Sequence, residues 1–225
     1  MRPLISVMLF AFCHVCFAQN WPVKPLRVLV GFAPGGTADV SARLTSDGVS
    51  KEIGQSVIVD NRPGGAGSLA LEALVRGSHD GYTIAIGSDS SLYQPVLNPS
   101  LAYRADKDLS PITILTKQPI VIVINAASGW KSVSELVEAA KARPGQIPYA
   151  VSSPGGTQAV AGRIFFGMAG VKMNLVPYKG GGQAVIDLLG GQIPVAVLGS
   201  APLMPHLKTG RLKALAVTSK TRSSA

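Results

Sequence analysis

Cysteine is almost missing from this chain, and the two that occur, Cys13 and Cys16, both fall inside the apolar run from Leu4 to Ala18. Arg2 precedes that run, and Cys16-Phe17-Ala18 puts small residues at the two positions a signal peptidase reads. Residues 1–18 are therefore expected to be a secretory leader cleaved after Ala18. The run is short for a helix that must cross a bilayer. Cys13-His14-Val15-Cys16 accordingly imitates a redox or metal motif without supplying one, and the residues before each cysteine do not suit lipidation. A mature chain starting after Ala18 has no disulfide, no thiol nucleophile and no thiolate ligand.

Histidine is nearly as scarce. Beyond the leader only His79, ahead of the turn Asp80-Gly81, and His206, after Pro205, remain. Neither has a G-x-S-x-G elbow to serve, and no His/Asp/Glu cluster has metal-ligand spacing. A periplasmic hydrolase would need a nucleophile–histidine pair that the sequence does not offer, so no catalytic residue, metal or cofactor is expected. Walker A and dinucleotide glycine patterns are also missing, which disfavours phosphate cofactors. Acidic residues are few, 12 against 21 Lys and Arg, for a net charge of +9, one unit less once Arg2 leaves with the leader. A basic excess suits an anionic ligand or an acidic surface. The basic residues are scattered rather than clustered, which argues against nucleic acid as a partner. Only 15% of residues are charged and 47% are hydrophobic, so the chain is neither disordered nor a coiled coil, and 225 residues suffice for one large domain or two lobes.

What is abundant is alternation. Leu26 to Val30 reads as a strand, Val40 to Ile53 as a helix with Val40, Leu44, Val49 and Ile53 near one face, Val57 to Val59 as a strand, Leu69 to Val75 as a helix and Tyr82 to Ile86 as a strand. This βαβαβ order implies a parallel sheet. The rhythm breaks between Ser88 and Ser110. Strands are then expected at Ile112–Leu115, Ile120–Ile124, Ile147–Val151, Asn174–Tyr178, Ile193–Leu198 and Leu212–Val217. Helices are expected at Val133–Ala142, behind a Ser132/Glu135 capping box, at Ala159–Met168 and at Ala184–Leu189. The fold class is α/β, with two lobes, residues 19–120 and 121–225, each built on a mostly parallel sheet flanked by helices, and a ligand cleft between them.

Glycine supplies the chemistry. Phe32-Ala33-Pro34-Gly35-Gly36-Thr37 and Ser152-Ser153-Pro154-Gly155-Gly156-Thr157 each link a strand to a helix, and Tyr178-Lys179-Gly180-Gly181-Gly182 is a third such loop. In a parallel sheet these loops sit at the carboxyl ends of strands, where ligands bind. Glycine lets backbone N–H groups approach a ligand, and a helix N-terminus adds partial positive charge, which together make an anion nest. Thr37 and Thr157 offer hydroxyls as donors or caps. Asp39, in the first turn of its helix, either receives a ligand ammonium or complements the helix dipole. Lys179 is a charge for a carboxylate or a solvated side chain, and Tyr178 a hydroxyl donor or a packing group. Ser88, Asp89, Ser90 and Ser91 follow a strand end in the first lobe and are expected to face the cleft.

With these loops go Trp21-Pro22-x-Lys24-Pro25, Gly31-Phe32-Ala33-Pro34-Gly35-Gly36-x-x-Asp39, Val59-Asp60-Asn61-Arg62-Pro63-Gly64, His79-Asp80-Gly81-Tyr82-Thr83, Val176-Pro177-Tyr178-Lys179-Gly180, Leu188-Leu189-Gly190-Gly191-Gln192 and Leu212-Lys213-Ala214-Leu215-Ala216-Val217-Thr218. In this order they resemble the Bug-type extracytoplasmic solute receptors of tripartite tricarboxylate transporters, over nearly the whole chain after the leader. The resemblance implies a type II-like periplasmic binding protein, a monomer that closes on a small carboxylate and delivers it to membrane permease subunits. It implies a site at Ala33, Pro34, Gly35, Gly36, Thr37 and Asp39 on one jaw and at Ser152, Gly155, Gly156, Thr157 and Gln158 on the other. Ser88, Tyr178 and Lys179 would border the same cleft. Two departures stand out. Pro194 and Leu198 replace acidic residues common in the family, which favours a purely anionic ligand. Family members also run on well beyond Ala225 with a tail that returns to the first lobe, so a shortened member acting as a ligand sensor, or one without function, is the second reading.

Overall fold

The computed structural model describes residues 21–222; the expected leader, with Cys13 and Cys16, lies outside the described residues. Strands β1 (Leu26–Val30), β2 (Val57–Asn61) and β3 (Thr83–Ile86) form a parallel sheet in the order β2-β1-β3. The helix α1 (Thr37–Ile53) connects the first two strands and α2 (Ser68–Val75) the next two. Parallel neighbours need a crossover of a dozen or more residues, which is what each helix provides.

The packed face of α1 differs from the expected one. Leu44 is 71% exposed, and the buried residues are Asp39, Ser41, Ala42 and Ser46. Asp39 is tied into the preceding loop, as described below, and its helical neighbours at i+3 and i+7 share its face. Ala42 then lies flat against Val28 and Val30. One polar anchor, rather than the count of apolar residues, sets the rotation of the helix.

A helix also forms where the sequence had suggested irregular chain. The helix α3 (Asp89–Leu97) starts with a full capping box, Ser88 Oγ accepting from Ser91 N–H and Ser91 Oγ from Ser88 N–H. It contains Pro95, which lacks the N–H that would bond Ser91 C=O. The fully buried Tyr103 fills that vacancy by donating its hydroxyl to the Ser91 carbonyl. The strand expected at Ile112–Leu115 is not formed. Among the described residues no strand pairs with it, and Ile112 and Ile114 are 78% and 71% exposed; alternation alone makes no ladder without a partner.

The second sheet comprises β4 (Ile120–Asn125), β5 (Pro148–Val151), β6 (Asn174–Pro177), β7 (Val195–Gly199) and β8 (Leu212–Val217), in the order β6-β5-β7-β4-β8. Strand β5 is parallel to β6 and β7, whereas β4 runs antiparallel to β7 and β8. Around it lie α4 (Val133–Ala142), α5 (Thr157–Met168), α6 (Gly181–Leu189) and the short α7 (Met204–Lys208). At the start of α4 Ser132 Oγ caps the Glu135 N–H, but Glu135 reaches back to Lys131 N–H, one residue earlier than a capping box requires. Both faces of this sheet are buried, one under Leu188, Val185 and Leu203, the other under Leu136, Ala140 and Phe166. The buried core around the first sheet is smaller: Val28, Val30 and Ala42 on one face, with Leu26, Leu29, Ala70 and Leu71 also buried. Most of the hydrophobic stabilisation among the described residues therefore resides in the second sheet.

At the edge of the first sheet the chain start is held by side chains. Lys24 pairs with Asp80 at 3.1 Å and lies over the Tyr82 ring, Trp21 packs on the same ring, and Tyr82 Oη accepts from Val23 N–H.

Replacing Tyr103 by Phe leaves the Ser91 carbonyl buried without a donor. The expected loss is about 1–2 kcal/mol, read as a lower midpoint in urea unfolding. Gly48→Ala, in α1 where an added methyl meets nothing within 4 Å, should instead raise stability by up to about 1 kcal/mol.

Candidate functional site

Of the helices that begin at glycine without a side-chain cap, two start from an extended glycine and open on one cavity. The N-cap residues of α1 and α5 are Gly36 and Gly156, both extended, and neither helix has a side-chain cap. The first-turn N–H groups of a helix have no intrahelical acceptor, so both ends offer bare donors and the positive end of a dipole. Gly36, Thr37 and Ala38 from one and Gly156, Thr157 and Gln158 from the other border the same cavity, of about 820 Å³. Ser88 and Asp89, Leu198 and Gly199, and the connecting segment from Pro111 to Gln118 also line it. This volume is within the range of small-molecule sites.

The Asp39 carboxylate builds the first jaw. It accepts from Gly35 N–H at 2.9 Å, from Arg43 through Nε at 3.0 Å and Nη2 at 2.9 Å, and from Asn61 Nδ2 at 3.0 Å. Asn61 Nδ2 also bonds the Phe32 carbonyl. Burial alone would raise the Asp39 pKa; the bonds from Arg43, Gly35 and Asn61 outweigh it and hold the pKa below the usual carboxylate value. Asp39 thus spends its charge inside the protein, away from the cavity, and no ammonium from a ligand reaches it.

The third glycine loop has a different task from that of the other two. Ala33 N–H donates to Lys179 C=O at 3.0 Å, and the two loops meet backbone to backbone. A Cβ on Gly182 would sit 2.1 Å from Pro34 O, and one on Gly180 2.8 Å from Ala33 N. Only glycine permits this approach. Gly181 still reaches the cavity wall, but Ala33, Pro34, Gly35, Tyr178 and Lys179 do not. Tyr178 donates its hydroxyl to Asp187 Oδ2 at 2.8 Å, and burial together with that acceptor pushes its pKa up to about 12.

On the other rim α3 touches the second glycine loop. Tyr93 Oη donates to Gly155 C=O at 3.0 Å, and Thr157 Oγ1 donates to Asp89 Oδ1 at 3.2 Å. A hydroxyl has one proton, so Thr157 has none left for a ligand. The Ser88 hydroxyl is likewise engaged, 2.7 Å from Ser90 Oγ, which in turn donates to Ala66 C=O. Gln158 turns its carboxamide oxygen to Ser152 N–H, leaving the amide nitrogen as its donor. Of the residues expected in the site, the structure brings Gly36, Thr37, Ser88, Ser152, Gly156, Thr157 and Gln158 together around the cavity; Gly155 and Asp39 stand behind it as supports. Sequence reasoning missed the segment Pro111–Gln118. Gln118 fixes it by accepting from Ser200 Oγ and Ala201 N–H, both at 3.1 Å; nothing in its composition signals that it lines a cleft. Among the described residues no three His, Cys, Asp or Glu are placed to hold a metal.

Comparison with known proteins gives concordant matches. Residues 41–225 match the family described as the tripartite tricarboxylate transporter family receptor. The protein BugT of Bordetella pertussis is 34% identical over 209 residues, which are 92% of this chain and 64% of BugT. The chain thus spans a little under two thirds of the length of that curated relative. Among solved structures, Rpa4515 of R. palustris, determined with adipate, superposes with a TM-score of 0.82 at 30% identity, covering 90% of this chain and 68% of the other. MatC of Rhodopseudomonas palustris, determined with bound malate, superposes with a TM-score of 0.81 at 28% identity, covering 90% and 69%.

Asp39 is bound more weakly to its proton in the folded chain than in the unfolded one. Its stabilising contribution is present above the ordinary carboxylate pKa of about 4 and is lost as pH falls through the lower folded value. Thermal unfolding between pH 2 and 7 should show an acid limb that Asp39→Asn flattens, at a cost of about 2 kcal/mol at neutral pH. Gly182→Ala should lower the melting temperature by several degrees because backbone, not a flexible side chain, must give way. Gly167→Ala, an open position in α5, is the matched control and should not.

Proposed function

We propose, because the chain belongs to the tripartite tricarboxylate transporter receptor family, that it is a periplasmic solute receptor that binds a small organic carboxylate and releases it unchanged to membrane permease subunits. The observation that carries this reading is the pair of uncapped helix N-termini at Gly36 and Gly156 on one cavity. Two such ends offer a carboxylate several backbone N–H donors whose dipoles are already aligned, so little reorganisation is needed on binding. The related proteins Rpa4515 and MatC, solved with adipate and malate, support a carboxylate as the ligand.

In this reading residues 19–120 and 121–225 act as two lobes. The carboxylate sits between Thr37 and Gly156–Gln158, with Ser152 and Ser88 at its sides. Bonds from α3 to Gly155 and Thr157 close the far rim, while the Ala33–Lys179 bond closes the near one. Leu198, 1% exposed and on the cavity wall, makes that side apolar and gives no counter-charge to an ammonium, so a purely anionic ligand is favoured over an amino acid. The leader ending near Ala18 would carry the chain to the periplasm.

Calorimetry against a panel of mono-, di- and tricarboxylates is the direct test. The expected outcome is saturable binding of at least one acid with a dissociation constant in the micromolar range or below, and a matching rise in melting temperature. A folded protein that no acid stabilises would sink the proposal. Binding should weaken at least tenfold in Gly156→Pro, which removes the turn bond from Gly156 N–H to Ser153 C=O and so displaces the loop that presents the Thr157 and Gln158 N–H groups, while Gly48→Ala should bind as the parent does.

A further inference from the structure

Charge is scarce around the cavity: of all the residues that border it, only Asp89 and Lys117 carry any. Their situations differ. Asp89 is already engaged, accepting from Thr157 Oγ1 at 3.2 Å across the cleft and from Ser90 N–H at 2.8 Å. Lys117 is exposed and has no acidic partner; the ion pairs among the described residues involve Lys24, Arg27, Arg43 and Arg62. Its position is unusual too. It stands on the segment between the two sheets, one residue before Gln118, whose carboxamide oxygen is held by Ser200 and Ala201. The backbone that presents the ammonium is therefore fixed even though the side chain is not.

The wall beside Lys117 is apolar. Ile112, Ile114 and Leu115 are exposed at 78%, 71% and 40%, and Ile120 and Leu198 continue the surface. Exposed aliphatic side chains facing a cleft are a surface that a ligand would cover. A carboxylate bound on the amides of Gly36–Ala38 and Gly156–Gln158 is far too small to fill about 820 Å³. What remains is an aliphatic wall with one ammonium on it.

We infer that Lys117 is a specificity-determining residue that pairs with a second carboxylate, so that the site selects dicarboxylates joined by an unbranched aliphatic spacer over monocarboxylates of equal length. This rests on the reading of the cleft as a carboxylate receptor and names the ligand within that class. The selection follows from charge. When the lobes close, water leaves the cleft and an unpaired ammonium loses hydration without compensation. A dianion supplies the missing partner through a charge-assisted hydrogen bond, whereas a monoanion does not. Asp89 acts in the opposite sense: held by Thr157 Oγ1, it places a carboxylate at the rim that repels a third carboxylate. The chain therefore accepts two charges and rejects one or three.

The test is calorimetry with adipate and hexanoate, which share a six-carbon chain and differ by one carboxylate, on the parent, Lys117→Met and Lys117→Arg. The parent should bind adipate at least tenfold more tightly than hexanoate, and raising the salt concentration should narrow that ratio. Lys117→Met should bring the ratio to near one, loosening adipate and tightening hexanoate by relieving the lost hydration of the ammonium, and Lys117→Arg should retain the preference. A preference that survives in Lys117→Met, or is missing from the parent, overturns the assignment of Lys117 and leaves the receptor reading standing. If the parent binds neither these acids nor any of the wider panel, the receptor reading itself fails and this inference with it. Melting curves of the three proteins should coincide, since Lys117 is exposed and makes no bond in the fold.

Discussion

The contact on which the arrangement depends is backbone against backbone. Where the loop at Ala33–Gly36 meets Gly180–Gly182, no side chain intervenes, and the Ala33 N–H to Lys179 C=O bond ties a loop of the first sheet to a loop of the second. An approach this close excludes a Cβ at Gly180 and at Gly182, and so these two glycines are a steric requirement of the junction. The junction also holds the open start of α1 against the second sheet, whose side carries the other open helix end at Gly156. Gly36 begins α1 immediately after the joined loop, and Gly181 begins α6 on the other side. Moving the loops apart by the width of a methyl group would move one set of amide donors relative to the other, and an anion held by both would lose its geometry.

Asp39 has the complementary role. An acid in the first turn of a helix is ordinarily explained by the dipole, but here its four bonds to Gly35, Arg43 and Asn61 shape the loop before the helix. It takes the Gly35 N–H for itself and leaves the N–H groups beyond Gly36 without a protein acceptor. The helix end is therefore open by construction. A cap at Gly36 or Gly156 would stabilise the helix by about 1 kcal/mol and would occupy the donors that a ligand needs. In the proposed receptor, stability at both helix starts is forgone for binding.

Much of this was legible in the sequence. Apolar runs between glycine-rich turns identified all eight strands of the described residues by position, with one strand too many at Ile112–Leu115, and the crossover helices between them, because period and punctuation are local properties. The failures are equally physical. Leu44 was expected inward on spacing, yet Asp39 determines the rotation of α1 and turns Leu44 to solvent. The helix α3 was hidden by Pro95, whose missing bond is compensated by Tyr103, a residue eight positions on. The extended segment at Ile112–Leu115 has the composition of a strand but no neighbour to pair with. The three glycine loops looked alike, and only tertiary contact separates the two that present amides from the one that joins the sheets. Ser88 and Thr157 were visible as hydroxyls, but whether a hydroxyl proton is already spent on Ser90 or Asp89 cannot be read from composition.

The far rim explains how such a cleft can respond to its contents. Apart from the glycine junction, the polar contacts that bring α3 to the second glycine loop are few: Tyr93 to Gly155, a long bond of 3.5 Å from Gln94 to the same carbonyl, and Thr157 to Asp89. Each is partly or fully exposed, and such bonds contribute about 1 kcal/mol apiece at most. Against them stands the cost of drying an ammonium and two helix ends. With the cleft empty these contributions are of similar size, so the far rim has no strong preference between meeting and parting. An anion changes the balance, because it supplies the acceptor that both helix ends lack and makes the same drying favourable. A ligand shifts a conformational equilibrium only by its difference in affinity for the two states. In the proposed receptor that difference comes from donors of the two sheets that face one cavity.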